Sequence, residues 1–303
     1  MPVAVELPLR GRGGEPISFA RTVYSHGCAA LPPARLQRDP LVYYRTLTAG
    51  RKHIEVALRD RRGKLSVETP DRAGVREVRS IERAIARMFR LSDDLSAFYA
   101  RIAHDDSLAW ATRGAGRILA APSVLEDVVK TICTTNCAWS ATERMTGALT
   151  RLGDGAFPSA QLLASTPEPW FRDVARMGYR GAYVRAIALA VASGSLDLEA
   201  LTDRGLDDGD VERALLQLPG IGPYGAAHVM LLLGRNRPLV LDSWTRPKYR
   251  RLTGKRRAAD STIRRQFSRY GEYAGLAFWL FLTRDWIEED PAEASTRLRD
   301  NLS

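Results

Sequence analysis

The stretch Leu-Pro-Gly-Ile-Gly-Pro-Tyr-Gly, residues 218–225, decides the fold of this chain. Residues 211–217 have the pattern of a helix end, the proline and glycines stop that helix, and an apolar helical pattern resumes at Tyr224. Gly220 and Gly222 permit positive φ, and the first N–H groups of the second helix have no intrahelical partners. The stretch therefore predicts a helix, a tight turn and a helix whose start can bind an anion. An ordinary turn between two helices has the same punctuation.

A carboxylate follows this hairpin closely along the chain. Asp242 comes 20 residues after Gly222 and ends the apolar run of the segment Leu-Val-Leu-Asp-Ser-Trp, residues 239–244. The sequence after it looks helical, so Asp242 also has the position of a helix N-cap. The two interpretations are compatible, because a capping aspartate is fixed in place and kept ionised by the helix dipole.

The hairpin and the aspartate together resemble the helix-hairpin-helix (HhH-GPD) DNA glycosylase superfamily, which is named for a hairpin, a Gly/Pro-rich loop and a catalytic aspartate. Residues 236–238, Asn-Arg-Pro, supply the loop. Residues 131–136 and 178–184 resemble two segments of 8-oxoguanine DNA glycosylases, and residues 271–277 resemble their G-P-Y-A-G motif. The similarity extends over most of residues 20–290 and favours the branch that contains 3-methyladenine DNA glycosylase II and the 8-oxoguanine enzymes.

Hydrophobic periodicity divides the chain into two kinds of structure. Residues 53–58 and 64–68 alternate around a turn-like segment, which predicts an antiparallel hairpin in a small sheet. From Ser80 the period becomes helical. We expect an α+β fold, with segregated β and α regions. The predicted parts are a loose leader over 1–16, a small N-terminal antiparallel β-sheet domain over 17–78 and an α-helical domain over 79–303, which the resemblance implies to be two-lobed.

The chain of 303 residues has a formal net charge of +10 and a pI near 9.8. Such a charge suits a polyanion, because each neutralised phosphate releases counterions, although a basic protein with no nucleic-acid role would share it. Cations crowd the segment after Asp242, which predicts phosphate contacts unless they form a solvated helix face. They are Arg246, Lys248, Arg250, Arg251, Lys255, Arg256, Arg257, Arg264 and Arg265.

The three cysteines, Cys28, Cys133 and Cys137, are too few for a four-cysteine iron–sulfur cluster and are more typical of small core residues. We expect no metal and no cofactor. No apolar run reaches transmembrane length and the start lacks a secretory pattern, so we expect no membrane association and a cytoplasmic protein that acts on the chromosome. The expected partner is double-stranded DNA containing a damaged base, with no obligate protein partner and a monomeric state.

The resemblance also implies roles for individual residues. A glycosylase must flip the target nucleotide out of the stack, and the gap must be filled. Asp242 is the expected catalytic carboxylate; Asn136 and Tyr179 are expected to occupy the gap and Arg180 to hydrogen-bond the orphaned base, although Tyr179 would otherwise be a core aromatic and Arg180 a surface charge. Other expected DNA contacts are Gly220, Gly222, Tyr224, Gly225, Trp244, Arg246, Lys248 and, after a short insertion, Arg144.

One departure from the family pattern lies in the hairpin. Bifunctional members place a lysine just after the second hairpin glycine, as the amine that attacks the sugar. Tyr224 stands there in this chain, which predicts simple hydrolysis without strand nicking. Lys248 is the nearest other amine along the sequence, and we interpret it as a phosphate contact.

The identity of the base is the least determined prediction. The candidate pocket residues are Trp139, Phe278, Trp279 and Leu282, although a core role is the alternative for each. An aromatic pocket with few hydrogen-bonding groups suits electron-poor alkylated bases. This favours a 3-methyladenine-type enzyme; the alternatives are a glycosylase for oxidised or deaminated bases and a non-enzymatic helix-hairpin-helix DNA-binding protein.

Overall fold

The computed structural model describes residues 3–69 and 73–287. Its N-terminal part is a five-stranded antiparallel sheet with the strand order β1-β5-β4-β3-β2. The strands are β1 Val3–Pro8, β2 Ala34–Gln37, β3 Val42–Ala49, β4 Lys52–Arg61 and β5 Lys64–Thr69. Strands β4 and β5 are the predicted hairpin, and Gly63 in its turn has a φ of 77°.

The start of the chain corrects one prediction. Strand β1 pairs along its length with β5, and Glu15 is buried, where its Oε1 accepts the Leu95 N–H at 2.7 Å and pairs with Arg117 at 2.5 Å. A loose leader over residues 1–16 is therefore wrong from Val3 onward; Met1 and Pro2 lie outside the described residues. The apolar alternation of β1 is short, and its pairing partner β5 lies some 60 residues away along the chain, so local composition did not reveal it.

The helices account for most of the remaining chain. They are α1 Phe19–Val23, α2 Val75–Met88, α3 Ser96–Ile102, α4 Val124–Thr134, α5 Trp139–Leu152, α6 Ala160–Ser165, α7 Arg180–Ala192, α8 Asp208–Leu216, α9 Pro223–Leu232, α10 Thr245–Thr253, α11 Asp260–Phe267 and α12 Ala274–Ile287. Helix α2 packs into the core of the sheet, and its Ile81, Ile85 and Met88 are buried as the predicted stripe requires. The expected domain boundary between residues 78 and 79 falls within this helix.

Two separate apolar cores make the helical region two-lobed. One lobe is built mainly on α4 to α8, and the other on α3 and α10 to α12. Helix α9 serves both, because Ala226 and Val229 belong to the first core whereas Ala227 and Leu231 belong to the second. Residues 225–232 are all buried, as expected for a helix that is apolar on every side. The α+β fold with a sheet and a two-lobed helical region is confirmed.

Among the described residues, no helix is both long and apolar enough to span a membrane.

Candidate active site

The hairpin forms as the sequence predicts, between the end of α8 and the start of α9. Gly220 has a φ of 84°, and the Tyr183 ring lies only 2.6 Å from where a Cβ would stand. Gly222 is exposed, faces open space and caps α9, where Ala226 N–H donates the first intrahelical bond to its carbonyl at 2.9 Å. The preceding N–H groups therefore begin a helix on an exposed turn, which suits an anion.

Gly225 lies beneath this turn rather than on it. It is buried, and a Cβ there would stand 3.3 Å from Ile221 and 3.5 Å from Thr131. Its side of α9 therefore packs toward α4. A DNA contact by Gly225 stays a prediction for its backbone N–H alone.

Asp242 is half-buried and fixed at the start of α10. Its Oδ1 accepts the N–H groups of Trp244 at 2.9 Å and Thr245 at 2.6 Å, and its own N–H donates to the Thr245 hydroxyl at 2.8 Å. This is a reciprocal N-cap, in which the carboxylate is oriented by backbone groups and favoured by the helix dipole. Its second oxygen, Oδ2, takes part in none of these bonds. Asp242 is thus a fixed carboxylate whose Oδ2 is not used in capping α10.

Tyr224, at the start of α9, lies close enough to Asp242 to feel the charge of its carboxylate. Its side chain is half-buried at the start of α9 and lies near the Thr134 side chain. Burial raises the pKa of the Tyr224 hydroxyl, and the charge of Asp242 raises it further. The hydroxyl therefore stays protonated at neutral pH and lies within electrostatic reach of the carboxylate.

Lys248 does not have the predicted role of a phosphate contact. Only 3% of it is exposed, and its Nζ forms an ion pair with Asp285 on α12. The inward face of α10 packs against α12, so this amine is directed into the protein. Lys248 is therefore neither a surface cation nor an available nucleophile.

Five rings form an aromatic cluster beside Asp242. Trp244 lies 5.9 Å from Trp279 and 5.0 Å from Trp286 between ring centroids, and His228 stacks 6.5 Å from Trp279 and lies 6.0 Å from Tyr224. The Trp279 indole N–H donates to the Ser25 carbonyl at 2.8 Å, which fixes that ring. We call Tyr224, His228, Trp244, Trp279 and Trp286 the aromatic cluster. Trp279 was predicted for the pocket, whereas His228 and Trp286 were missed.

Phe278 and Leu282 are wrong as pocket residues. Both are fully buried, and the Phe278 ring packs against Phe267 at 5.1 Å and Tyr249 at 6.3 Å. Positions 278 and 282 are one helical turn apart and share the face of α12 that enters the lobe core. Trp279 is rotated off that face, and this places its ring beside Trp244 instead.

Two further candidates lie on α5, apart from the aromatic cluster. Trp139 is half-buried at the first residue of α5, and its indole N–H donates to Glu143 at 3.1 Å. Arg144 is exposed on the same helix. The ring pairs that define the aromatic cluster do not include Trp139, so its place in a base pocket stays a prediction, as does a DNA contact by Arg144.

Asn136 and Tyr179 lie on neighbouring loops that Arg180 ties together. Asn136 is exposed with a φ of 47°, and Tyr179 is 53% exposed. Arg180 is buried and donates from Nε to the Thr135 carbonyl at 3.1 Å and from Nη2 to the Asn136 carbonyl at 3.1 Å. A bond from Arg180 to an orphaned base stays a prediction, and only Nη1 takes no part in these bonds to backbone carbonyls. Arg180 fixes the loop that presents Asn136.

The exposed loop connects physically to the hairpin. The Tyr179 ring lies edge-on to Tyr183 at 5.7 Å, and Tyr183 is the residue that packs against Gly220. The Arg180 guanidinium lies 4.6 Å from the Tyr179 ring centroid. Asn136, Tyr179 and the hairpin thus belong to one contiguous surface.

The basic segment after Asp242 is largely exposed. Arg246 is partly buried and forms a bidentate ion pair with Asp260 at 2.8 and 2.9 Å. Seven cations of α10, α11 and their connection are exposed: Arg250, Arg251, Lys255, Arg256, Arg257, Arg264 and Arg265. Their exposure is compatible with phosphate contacts and with a solvated face alike.

All three cysteines are free thiols, and Cys137 Sγ donates to the Cys133 carbonyl at 3.2 Å. Within residues 3–69 and 73–287, no group of three or more His, Cys, Asp or Glu side chains could hold a metal ion.

Comparison with known proteins finds similarity at the level of structure. No protein-family model matches the sequence, and no curated protein matches it. The 3-methyladenine DNA glycosylase of Archaeoglobus fulgidus is similar with a TM-score of 0.70 at 17% identity, over 92% of this chain and 97% of that one.

Two further structures are equally similar. The apo-form 8-oxoguanine glycosylase/lyase of Clostridium acetobutylicum has a TM-score of 0.69 at 19% identity, covering 92% of this chain and 95% of that one. A structure of MBOgg1 in complex with a low-affinity DNA ligand has a TM-score of 0.69 at 18% identity, covering 93% and 95%. At these identities the comparisons establish that the chain has the fold of these glycosylase structures.

Proposed function

We propose that this protein is a base-excision-repair DNA glycosylase that hydrolyses the N-glycosidic bond of a flipped, damaged base. The observation that carries the proposal is the fixed carboxylate of Asp242, which accepts the backbone N–H groups of Thr245 and of Trp244, a member of the aromatic cluster. The fold shared with the 3-methyladenine and 8-oxoguanine glycosylase structures supports it. A pure DNA-binding protein has no need of a carboxylate held near a phosphate-binding turn.

The chemistry follows from the charge that develops on the sugar. Departure of the base leaves positive charge at the anomeric carbon, and a fixed carboxylate stabilises that charge. In this chain Asp242 Oδ1 is held by the N–H groups of Trp244 and Thr245, so Oδ2 is the oxygen that orients or deprotonates the attacking water. Because two backbone N–H groups already hold this carboxylate in place, no rearrangement is needed as the charge appears.

DNA binding is assigned to the exposed surface around the hairpin. The turn at Gly220 and Gly222 offers helix-start N–H groups to a backbone phosphate. Asn136 and Tyr179, presented on adjacent exposed loops, fill the gap left by the flipped nucleotide. The exposed cations of α10 and α11 add nonspecific phosphate attraction that weakens with salt.

The proposed reaction stops at the abasic site. Tyr224 occupies the position of the lysine nucleophile of bifunctional enzymes, and Lys248 is buried in its ion pair with Asp285. We expect no covalent product when the protein is mixed with lesion duplex and sodium borohydride. Efficient trapping of a protein–DNA adduct would contradict the monofunctional assignment while leaving glycosylase activity in place.

The proposed substrate is an alkylated purine. Tyr224, Trp244 and Trp279 offer aromatic faces next to Asp242, and such faces attract electron-poor, cationic bases by stacking and cation–π interaction. Oxidised and deaminated bases are the alternative, because the structure of an 8-oxoguanine glycosylase/lyase matches the fold equally well.

The test is a panel of duplexes, each with one alkylated, oxidised or deaminated base, incubated with the protein and then cleaved at abasic sites by hot alkali. Release of an alkylated purine by the wild type and its loss in Asp242→Asn are the expected results. The matched control is Asp106→Asn, because Asp106 is exposed and outside the site. If no duplex is cleaved, or if Asp242→Asn is as active as the wild type, the enzymatic proposal fails.

A further inference from the structure

His228 is a buried histidine that forms no hydrogen bond through its ring with any residue that the structure describes. Only 7% of it is exposed, yet neither Nδ1 nor Nε2 has a hydrogen-bond partner among residues 3–69 and 73–287. Buried polar groups are nearly always paired, since leaving one unpaired costs its hydration without return. Both nitrogens of His228 therefore need a hydrogen-bond partner that the described part of the chain does not supply.

The adjacent histidine shows the contrast. His26 lies 6.0 Å from His228 between ring centroids and is equally buried, but both of its nitrogens are paired. Its Nε2 pairs with the Leu119 carbonyl at 2.6 Å, and the Cys28 N–H donates to its Nδ1 at 3.1 Å. These bonds fix the Nε2–H tautomer of His26. Burial alone does not leave a histidine unpaired in this part of the fold.

A small cavity beside the ring can hold a hydrogen-bond partner for one of the two nitrogens. His228 lines an interior space of about 30 Å³ together with His26, Cys28, Lys130 and Thr131. The space has polar side chains in its lining and is large enough for a water molecule. One water cannot bond both ring nitrogens of an imidazole, because they point in divergent directions. One nitrogen of His228 therefore still needs a partner elsewhere.

The His228 ring also packs against two rings of the aromatic cluster, Tyr224 and Trp279. His228 lies one helical turn after Tyr224 on α9 and stacks on Trp279 with an interplanar angle of 23°. Burial, and to a lesser degree His26, lowers the pKa of His228 to about 3. At neutral pH the ring is uncharged and offers one N–H donor and one acceptor.

We propose that His228 is the specificity-determining residue of the site, and that its free ring nitrogen hydrogen-bonds an exocyclic polar group of the damaged purine. This inference rests on the proposed glycosylase function. Stacking alone accepts any flat, electron-poor base, whereas a site that contains an unpaired polar group discriminates against a base that cannot pair with it. The substrate class is then the alkylated purines that keep an exocyclic amino or carbonyl group, as adenine and guanine do.

The first experiment compares free 3-methyladenine with free 3-methylpurine, which lacks only the exocyclic amino group. Binding is followed by quenching of tryptophan fluorescence, to which Trp244 and Trp279 contribute. We expect the wild type to bind 3-methyladenine about tenfold more tightly, and His228→Phe to bind the two bases equally. His104→Phe is the matched control, because His104 is exposed and outside the site. An unchanged preference in a folded His228→Phe would overturn the inference.

The second experiment does not depend on a variant. The chain has four histidines, so their imidazole nitrogens can be resolved by ¹⁵N NMR of the wild type. We expect saturation with 3-methyladenine to shift the His228 nitrogen signals and to leave those of His26 in place. Unchanged His228 signals at saturation would overturn the inference even if His228→Phe does not fold.

The lesion panel separates this inference from the proposed function. If the wild type excises alkylated purines but His228→Phe keeps the same kcat/KM for them, the glycosylase stands and the role of His228 is wrong. If the wild type excises no lesion, both fail. Restoration of the 3-methyladenine preference by His228→Gln would support hydrogen bonding over ring packing.

Discussion

The hairpin of α9 and the helix α12 both contribute rings to the aromatic cluster, but their sequences reveal this unequally. In the hairpin, Gly220 must adopt a positive φ and Gly222 must leave the start of α9 open, so the residue types themselves indicate the geometry. In α12, Phe278 and Trp279 are adjacent aromatic residues, and only one of them faces the cluster. The conformation of a turn is determined by the residue types within it, whereas the face of a helix that packs inward is determined by the elements around the helix. The predictions below test that difference.

The largest expected effect is on Asp242. Asparagine at this position keeps an oxygen that can cap α10, so Asp242→Asn should fold, while the loss of the negative charge should lower kcat by about 10² to 10³-fold. Single-turnover excision of the lesion released by the wild type measures this. Asp106→Asn should be indistinguishable from the wild type. If the lower activity of Asp242→Asn were explained wholly by a smaller folded fraction, the role of Asp242 would be only to cap α10.

The next effect separates the two faces of α12. Phe278→Ala empties a fully buried site and should lower the free energy of unfolding by about 3 to 5 kcal/mol, with little change in kcat/KM of the folded fraction. Trp279→Phe keeps a ring but loses the bond to the Ser25 carbonyl, which is worth about 1 kcal/mol, and should weaken base binding. Urea unfolding and excision kinetics of both variants measure this. If Phe278→Ala weakened base binding and Trp279→Phe mainly lowered stability, Phe278 would be the pocket residue and Trp279 the core residue.

A smaller effect distinguishes the two hairpin glycines. Gly220→Ala forces a side chain into positive φ and against Tyr183, and should cost about 1 to 3 kcal/mol of stability. Gly222→Ala meets open space and should change stability by less than about 0.5 kcal/mol, while its methyl group obstructs the exposed start of α9 and weakens DNA binding. Thermal unfolding and DNA fluorescence anisotropy separate these outcomes. Equal destabilisation by the two would contradict the observed turn.

The smallest effect concerns acid stability. Burial lowers the pKa values of His26 to about 4 and of His228 to about 3, from 6.5. Between pH 6.5 and these values the unfolded chain binds protons that the folded protein does not. The free energy of unfolding should therefore fall with decreasing pH, by up to about 1.4 kcal/mol per pH unit for each histidine. In urea unfolding between pH 7 and 5, His228→Phe should show a shallower slope than the wild type; parallel slopes would show that His228 titrates normally.

The sequence was sufficient where a residue type permits few alternatives. The turn glycines, the capping Asp242 and the alternation of β4 and β5 each specify a local conformation, and the structure has all three. The inward stripe of α2 followed from its helical period in the same way. These features depend on contacts within a few residues, or on a pattern long enough to define a face.

The sequence was insufficient where distant partners decide. Lys248 and Arg180 look like surface cations, but Asp285 and the carbonyls of residues 135 and 136 bring both into the interior. Strand β1 is ordered by β5, which no property of its own residues indicates. His228 was missed for a related reason, because an unpaired ring can be recognised only once all of its neighbours are known.

Helix α9 belongs to two apolar cores at once, and this has a consequence for how DNA is met. Because each lobe would lose part of its interior if α9 opened, the backbone amides of residues 226–232 should exchange with solvent only through global unfolding. The turn proposed to bind a phosphate is therefore attached to a segment that we expect to be among the most protected of the helical region. Such a surface needs no ordering when it meets the double helix, and a protein that tests many undamaged sites in succession incurs no entropy cost there at each encounter.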